Sequence, residues 1–228
     1  MLIQHSLEST PSNQVGGRAV RSVASVQTLA GPMEMMGAPM AFARNGEIYG
    51  EGEQAEYAYK VVSGAVRTYR ILADGRRQIG SFYLPGDVFG LEFGDEHAFS
   101  AEAVTKTEVL VAKRSALVAL AARDSEVARE LWTLTGRELA RAQEHIVLLI
   151  KTAQERVAAF LLEMAERRPA GDTIELPMSR QDIADYLGLT IETVSRTLSA
   201  LENEAAIELP NSRRVVLRNR PALTNINA

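Results

Sequence analysis

The chain has 228 residues, of which 46% are hydrophobic and 24% charged, as in an ordinary folded protein with one large domain or two modest ones. It contains no cysteine, which excludes disulfides, cysteine nucleophiles and cysteine-held zinc or iron–sulfur sites. The net charge of −4 does not by itself indicate nucleic-acid binding, and residues 178–228 carry six basic and six acidic side chains.

The N-terminal residues 1–40 are rich in Ser, Gly, Pro and Met with weak periodicity. We predict a disordered or loosely attached arm with a short helix near residues 33–37. Residues 1–25 lack the basic start and continuous apolar core of a secretory signal, and no apolar run approaches the roughly 20 residues of a membrane span. We therefore expect a cytoplasmic protein with no membrane partner.

The next region, residues 41–124, has the pattern of an antiparallel β-domain. Four stretches rich in β-branched and aromatic residues read as strands: residues 58–63, 65–72, 78–84 and 108–113. Asp74-Gly75 between two of them is a strong hairpin signal, because glycine accepts the positive φ that such turns impose. Short strands with closely spaced turns predict a small sandwich or barrel.

A long helix is predicted over residues 125–152. Residues 132, 135, 139, 142, 146, 149 and 153 follow one another at alternating steps of three and four, which is coiled-coil spacing. This seam is apolar except at Thr135, and its predicted dimer-interface residues are Trp132, Leu139, Ala142, Ile146 and Leu149. Because residues 146–150 are all apolar, the helix needs partners on two sides. We infer that one face of the helix packs on the β-domain and the other on a second subunit. The alternative is a core helix within a monomer.

Residues 153–228 predict a winged helix-turn-helix domain. A helix over residues 153–168 is either continuous with the long helix or separated from it by a break near residues 151–153. After a strand over residues 173–176, Ser179 and Asp182 form a capping signature that begins a second helix. A glycine-containing turn at residues 188–190 leads to a third helix capped by Thr190. Strands at residues 207–209 and 214–217 then form a β-wing. A generic helical hairpin is the alternative.

The third helix has an outward face that could read DNA bases. Four residues near its start are candidates for base edges: Ile191, Glu192, Ser195 and Arg196. Arginine can grip guanine O6 and N7 and a carboxylate can accept from cytosine N4, so Glu192 and Arg196 could read G·C pairs. The alternative for Glu192 is stabilisation of the helix dipole, worth about 0.3–1 kcal/mol. Six residues are candidates for phosphate contacts: Arg180, Gln181, Thr193, Thr197, Arg213 and Arg214.

The sequence LGLTIETVSRTLSALE at residues 187–202 resembles the DNA-reading segment of the CRP/FNR regulators, and its E-T-V-S-R part is similar to the rhizobial FixK-type branch. The resemblance spans most of the chain, including LLIKTAQERVAAFLL at residues 148–162. It implies an α+β fold: an N-terminal antiparallel β-roll resembling the cyclic-nucleotide-binding jelly roll, a long dimerisation helix and a C-terminal winged helix-turn-helix. It also implies a homodimeric activator that binds double-stranded DNA at a palindromic, TTGAT-like inverted repeat and contacts RNA polymerase. The FixK-type branch implies control of low-oxygen respiration or nitrogen-fixation genes.

Two departures from the family bear on regulation. Cyclic-nucleotide sensors have an arginine that neutralises the cyclic phosphate, and here Phe99 stands in its place, so cyclic AMP binding is not expected. The absence of cysteine excludes the iron–sulfur cluster of FNR. We therefore expect no small-molecule effector, cofactor or metal. The alternative is a ligand-gated regulator whose β-roll binds an unrecognised effector.

Two further points concern single residues. FixK-type relatives often have cysteine where Ser179 stands, a possible redox position, and serine cannot be oxidised as a thiol can. The three histidines His5, His97 and His145 are scattered, with neither metal spacing nor a nucleophile partner, so an enzyme is the weakest interpretation.

Overall fold

The computed structural model describes residues 30–167 and 171–227. Most of the predicted arm, residues 1–29, and the proposed helix end at residues 168–170 lie outside this part. Within the described ranges, no helix combines the length and apolar character that crossing a membrane requires.

The first described part of the chain is a small antiparallel β-sandwich. Its elements are α1 (Ala30–Met36), β1 (Ala38–Phe42), β2 (Glu47–Tyr49), β3 (Tyr57–Ser63), β4 (Val66–Ile71), β5 (Arg77–Tyr83), β6 (Val88–Phe89), β7 (Ser100–Ala103), β8 (Thr107–Lys113) and α2 (Arg114–Ala121). One sheet has the order β1-β8-β3-β6 and the other the order β2-β7-β4-β5.

The four predicted strands correspond to β3, β4, β5 and β8. β4 and β5 form the expected hairpin, in which Ile71 lies opposite Arg77 and Gly75 has a φ of +83°. The prediction missed β1, β2, β6 and β7, each of which has five residues or fewer. β1 even contains Pro39, which its place at the edge of a sheet tolerates.

Residues 30–40 were predicted to belong to a loose arm, but in the structure they pack on the β-roll. The short helix expected near residues 33–37 is α1, and its Met33 is fully buried. β1 pairs with β8, with Ala38 opposite Val111. A single buried methionine in so short a helix gives no periodic pattern, so composition alone was misleading here. The β-roll therefore includes α1 and β1.

The predicted dimerisation helix of residues 125–152 is shorter in the structure. α3 (Ser125–Leu148) ends before a turn, and α4 (Ala153–Arg167) begins after it. The Glu155 carboxylate accepts a hydrogen bond from the backbone N–H of Thr152 at 2.7 Å, while the Thr152 hydroxyl faces the N–H of Glu155 at 3.4 Å. This reciprocal pattern is a capping box, which explains why a new helix begins here.

The last part is the predicted winged domain. Its elements after α4 are β9 (Thr173–Glu175), α5 (Arg180–Leu187), α6 (Ile191–Asn203), β10 (Ile207–Asn211), β11 (Arg214–Leu217) and α7 (Arg220–Asn227), and its sheet has the order β10-β11-β9. Helix α7 was not predicted, although Asn219 accepts from the N–H of Ala222 at 3.0 Å and Pro221 lies in the first turn. The α+β fold class, with β-roll, long helix and winged helix-turn-helix, is confirmed.

The β-roll and the winged domain share one hydrophobic core. Phe82 and Leu84 of the β-roll belong to the same buried cluster as Phe160 of α4 and Leu187 of α5. The Phe82 ring lies 5.2 Å from the Tyr186 ring. The two parts therefore pack against each other directly.

Candidate nucleic-acid interface

The two helices of the helix-turn-helix begin and end where the sequence predicts. Ser179 Oγ accepts from the N–H of Asp182 at 3.1 Å, and the Asp182 carboxylate accepts from the N–H of Ser179 at 2.9 Å. Gly188 ends α5 in the left-handed conformation, with φ +62°. Thr190 Oγ1 then accepts from the N–H of Thr193 at 3.2 Å and caps α6. Local hydrogen bonds thus define both ends of the turn.

Helix α6 has one buried and one exposed face. Val194, Leu198 and Leu201 are buried, as predicted. The four candidate base-reading residues are all exposed: Ile191, Glu192, Ser195 and Arg196. The face is therefore available to a ligand outside the domain.

The carboxylate of Glu192 lies in the first turn of α6. Hydrogen bonds from its own backbone N–H and from the Thr190 side chain lower its pKa, and the charge of Arg196 adds to this effect. The group is therefore ionised at neutral pH. This geometry is compatible with base reading and also with the alternative of a helix-dipole interaction.

The phosphate candidates on α5 and α6 differ in exposure. Gln181 is exposed, and its side-chain N–H donates to Asp185 at 2.6 Å. Thr193 and Thr197 are half-buried. Arg180 is also half-buried; burial lowers its pKa, and its Nη1 has no hydrogen-bond partner in the described part of the chain. Part of the Arg180 guanidinium is therefore enclosed by the protein.

The two phosphate candidates of the wing already have protein partners. Arg213 donates to the carbonyl of Pro177, and Arg214 lies 3.6 Å from the Glu175 carboxylate. They border a cavity between the wing and the β-roll turns. Four basic side chains line it: Arg44, Lys106, Arg213 and Arg214. Although the domain is neutral in sum, positive charge gathers on this side.

The predicted seam of α3 is exposed along most of its length. Trp132, Leu139 and Ile146 are 81%, 59% and 66% exposed, and Ala142 is also exposed. Leu149 differs, because it follows the end of α3 and is half-buried. A Cβ placed on Gly188 would meet its Cδ2 at 3.4 Å, so Leu149 lies beside the helix-turn-helix turn.

The opposite face of α3 packs on the β-roll of the same chain, as predicted. The hydroxyl of Tyr83 donates to Glu138 at 3.1 Å, and Arg141 pairs with Asp87 at 3.3 Å. Burial raises the pKa of Glu138. Helix α3 therefore has one face that packs on the β-roll and one apolar face that is exposed.

Aromatic rings fill the interior of the β-roll. The rings of Tyr49 and Tyr59 lie 5.4 Å apart, Tyr59 and Phe89 5.1 Å, and Tyr83 and Phe89 5.0 Å. His97 stacks on Tyr49 at 3.5 Å. The tyrosine and phenylalanine rings form part of the hydrophobic core of the β-roll.

Three comparisons with known proteins identify the family. A family model described as a Crp-like helix-turn-helix domain matches residues 155–226, and one described as a cyclic nucleotide-binding domain matches residues 39–124. The nitrogen fixation regulation protein FixK of Azorhizobium caulinodans is 51% identical over 227 residues, which cover 96% of this chain and 91% of the relative. FixK of Rhizobium meliloti is 43% identical, with 86% of this chain and 91% of the relative covered.

A solved structure agrees with these relatives. The structure of FixK2 from Bradyrhizobium japonicum has a TM-score of 0.82 and 53% identity, and covers 85% of this chain and 98% of that chain. The chain belongs to the CRP/FNR family of transcription regulators. The resemblance drawn from residues 187–202 is thereby confirmed, and the domain order expected of the CRP/FNR family is the one described above.

The β-roll of this CRP/FNR regulator has Phe99 at the position where the resemblance places the arginine of cyclic-nucleotide sensors. Phe99 lies against Gly80, where an added Cβ would be 3.1 Å from its ring. The nearby Arg70 is already paired with Glu51 at 2.9 Å. The Tyr49 hydroxyl donates to the Glu92 carboxylate at 3.4 Å. No cluster of metal-binding side chains occurs among the described residues.

Four charged residues that join the two parts of this CRP/FNR chain were not predicted as functional. Arg67 and Arg77 of the β-roll pair with Asp182 and Asp185 of α5. Of the roles of these four residues, only the capping role of Asp182 could be predicted from the neighbouring sequence. The paired residues are more than 100 positions apart in sequence, so a single sequence gives no signal for them.

Proposed function

We propose that this chain is a homodimeric, sequence-specific activator of transcription that binds a TTGAT-like inverted repeat in double-stranded DNA. The observation that carries the proposal is the exposed first turn of α6, with Glu192 and Arg196 one helical turn apart on an outward face. A helix-turn-helix presents this part of its second helix to base edges in the major groove. Contact with RNA polymerase and a cytoplasmic location belong to the proposal.

Dimerisation through α3 supports reading of an inverted repeat. The exposed seam at Trp132, Leu139 and Ile146 is apolar and has coiled-coil spacing. Such a surface is rarely left open to water on a stable monomer. In a two-fold dimer the two copies of α6 would meet half-sites one DNA turn apart, about 34–36 Å.

The names of the relatives support a proposal about the target genes. The proteins from Azorhizobium caulinodans and Rhizobium meliloti are both named nitrogen fixation regulation proteins. A 39% identical relative from Rhodopseudomonas palustris is named a transcriptional activatory protein. We infer control of low-oxygen or nitrogen-fixation genes by activation.

Activity without a small-molecule effector completes the proposal. Phe99, at the position where the resemblance places the arginine of cyclic-nucleotide sensors, supports it. The competing function is a ligand-gated regulator. Measuring DNA binding by purified protein with and without the small-molecule fraction of a cell extract separates the two. Tight specific binding that appears only with the extract would favour ligand gating.

The test of sequence reading is selection of bound DNA from a random pool. We expect an inverted repeat with TTGAT-like half-sites. Recovery of sequences with no shared inverted repeat would contradict the proposed function.

A further inference from the structure

We propose that the ion pairs between α5 and the β-roll hold the reading helix in register with the dimer axis, which makes Arg67 and Arg77 positioning residues for DNA binding. This inference rests on the proposed function. It identifies residues outside the helix-turn-helix on which its orientation depends.

The first pair is deeply buried. Arg67 Nη1 lies 3.1 Å from Asp182 Oδ1, and the two side chains are 7% and 5% exposed. Arg67 Nη2 also pairs with Glu102 of the neighbouring strand at 2.8 Å, which fixes the guanidinium to its own sheet. The link from β4 to α5 is therefore a direct charged contact with little freedom.

The second pair widens the contact along α5. Arg77 Nη2 lies 2.7 Å from Asp182 Oδ1, and Arg77 Nε lies 2.8 Å from Asp185 Oδ2. The next residue, Gln78, donates from its side-chain amide to the carbonyl of Tyr186 at 3.3 Å. Contacts at residues 182, 185 and 186 span more than one helical turn, so they resist rotation of α5 as well as separation.

Asp182 joins this contact to the fold of the helix-turn-helix itself. Its Oδ1 accepts from the two arginines, while its Oδ2 accepts from the N–H and hydroxyl of Ser179 at 2.9 and 2.7 Å. Burial opposes ionisation, but these hydrogen bonds and the positive charges outweigh it and lower the pKa of the carboxyl. One carboxylate therefore caps α5 and anchors it to the β-roll.

The charged contact depends on both of its partners. Removing one member of a buried ion pair leaves the other charge uncompensated, which is strongly unfavourable. The apolar contact of Phe82 with Tyr186 lies beside the pairs and opposes separation of the two parts. Buried pairs are also little screened by salt.

The contact connects the dimer seam to the DNA-reading face through packed elements. α3 is tied to the β-roll at Glu138 and Arg141, and the β-roll is tied to α5 at Arg67 and Arg77. In this docked arrangement Glu192 and Arg196 stay exposed. The chain's own guanidinium groups thus provide the orientation that an effector would otherwise stabilise.

The experiment measures tolerance of half-site spacing with the full chain. Affinities are compared for the selected inverted repeat, for the same repeat with one base pair inserted or removed between half-sites, and for a single half-site duplex. For Arg77→Gln we expect about tenfold weaker binding to the native repeat and loss of most of the preference for native spacing. Binding to the single half-site duplex should stay within about twofold of the parent. The reason is that a looser orientation of the reading helix weakens only the simultaneous binding of both half-sites by one dimer. Arg77→Lys should restore part of the preference.

Two further variants make the test specific. Asp185→Asn removes the charged partner of Arg77 on α5. It should reduce the preference for native half-site spacing, as Arg77→Gln does. The matched control is Arg76→Gln, since Arg76 is the adjacent arginine but pairs with Asp74 of its own hairpin at 2.7 Å. The inference is overturned if Arg77→Gln and Asp185→Asn keep the parent's spacing preference, or if they lose the same factor on the half-site duplex. Failure of the proposed function would be seen separately, as absence of specific binding by the parent.

Discussion

Helices α3 and α6 each bury one face and expose the other, but the exposed faces differ in chemistry. That of α3 presents Trp132, Leu139 and Ile146, and that of α6 presents Glu192 and Arg196. An apolar face at coiled-coil spacing suits another copy of the same helix, whereas a carboxylate and a guanidinium suit the donors and acceptors of base edges. The chemistry of the exposed face of each helix therefore indicates which kind of partner that helix binds.

The largest expected effect comes from placing a charge on the α3 seam. Ile146→Glu should weaken the dimer by at least about 100-fold, because each copy would bury a carboxylate in an apolar interface, and affinity for the inverted repeat should fall with it. Sedimentation and DNA titration measure both. Arg137→Glu is the control, since Arg137 is exposed on the outer side of α3. An unchanged dimer in Ile146→Glu would remove the seam from its proposed role.

A smaller effect is expected on the reading face. Arg196→Ala should cost about 1–3 kcal/mol on the matched site and relax discrimination at one base pair of each half-site, because a bidentate contact to guanine is lost. Affinities for the matched site and for single-base variants measure this. Equal losses on all sites would mean that Arg196 contacts the backbone and does not read a base.

The caps of the two helices allow a matched comparison. Thr190 caps α6, and Asp124 caps α3 by accepting from the N–H of Glu126 at 2.8 Å. Thr190→Ala and Asp124→Ala should each lower the free energy of unfolding by about 1 kcal/mol in denaturant titrations. Only Thr190→Ala should also weaken specific DNA binding. An equal loss of DNA binding in both variants would show that general stability, and not the reading turn, sets affinity.

The smallest effect is expected for the wing. Arg213→Gln should weaken matched and mismatched DNA alike by a few-fold and lower the salt dependence of binding by about one phosphate contact. The modest size follows from its existing bond to the Pro177 carbonyl, which must be shared or released. Binding titrations at several salt concentrations test it, and loss confined to one base pair would contradict a phosphate role.

Local sequence patterns predicted most of the helices and strands but few of the contacts between the β-roll and the winged domain. The hairpin at Gly75, the capping box at Ser179 and the buried face of α6 follow from spacing that a single sequence displays. A break near residues 151–153 was one of two alternatives for the long helix, and the capping pair of Thr152 and Glu155 decides for it. The strands β1, β2, β6 and β7 were too short to show a period.

The candidate reading face was predicted residue by residue because helical geometry alone determines which side chains face outward. The contacts of Arg67 and Arg77 were not, because an ion pair between distant segments requires knowledge of which surfaces pack together. Leu149 illustrates the same limit: its place in the heptad suggested the seam, but the end of α3 at Leu148 turned it toward Gly188.

The burial of Met33 fixes where the N-terminal segment joins the fold. Met33 lies in one apolar cluster with Leu117 and Val127, so the chain enters beside the first turn of α3. At 1.5 Å per residue, the 24 residues of α3 place this entry point about 36 Å along the helix from the turn that leads to the winged domain. A fluorescent protein or affinity tag attached directly before Ala30 would therefore start at the opposite end of α3 from the turn that leads to the winged domain.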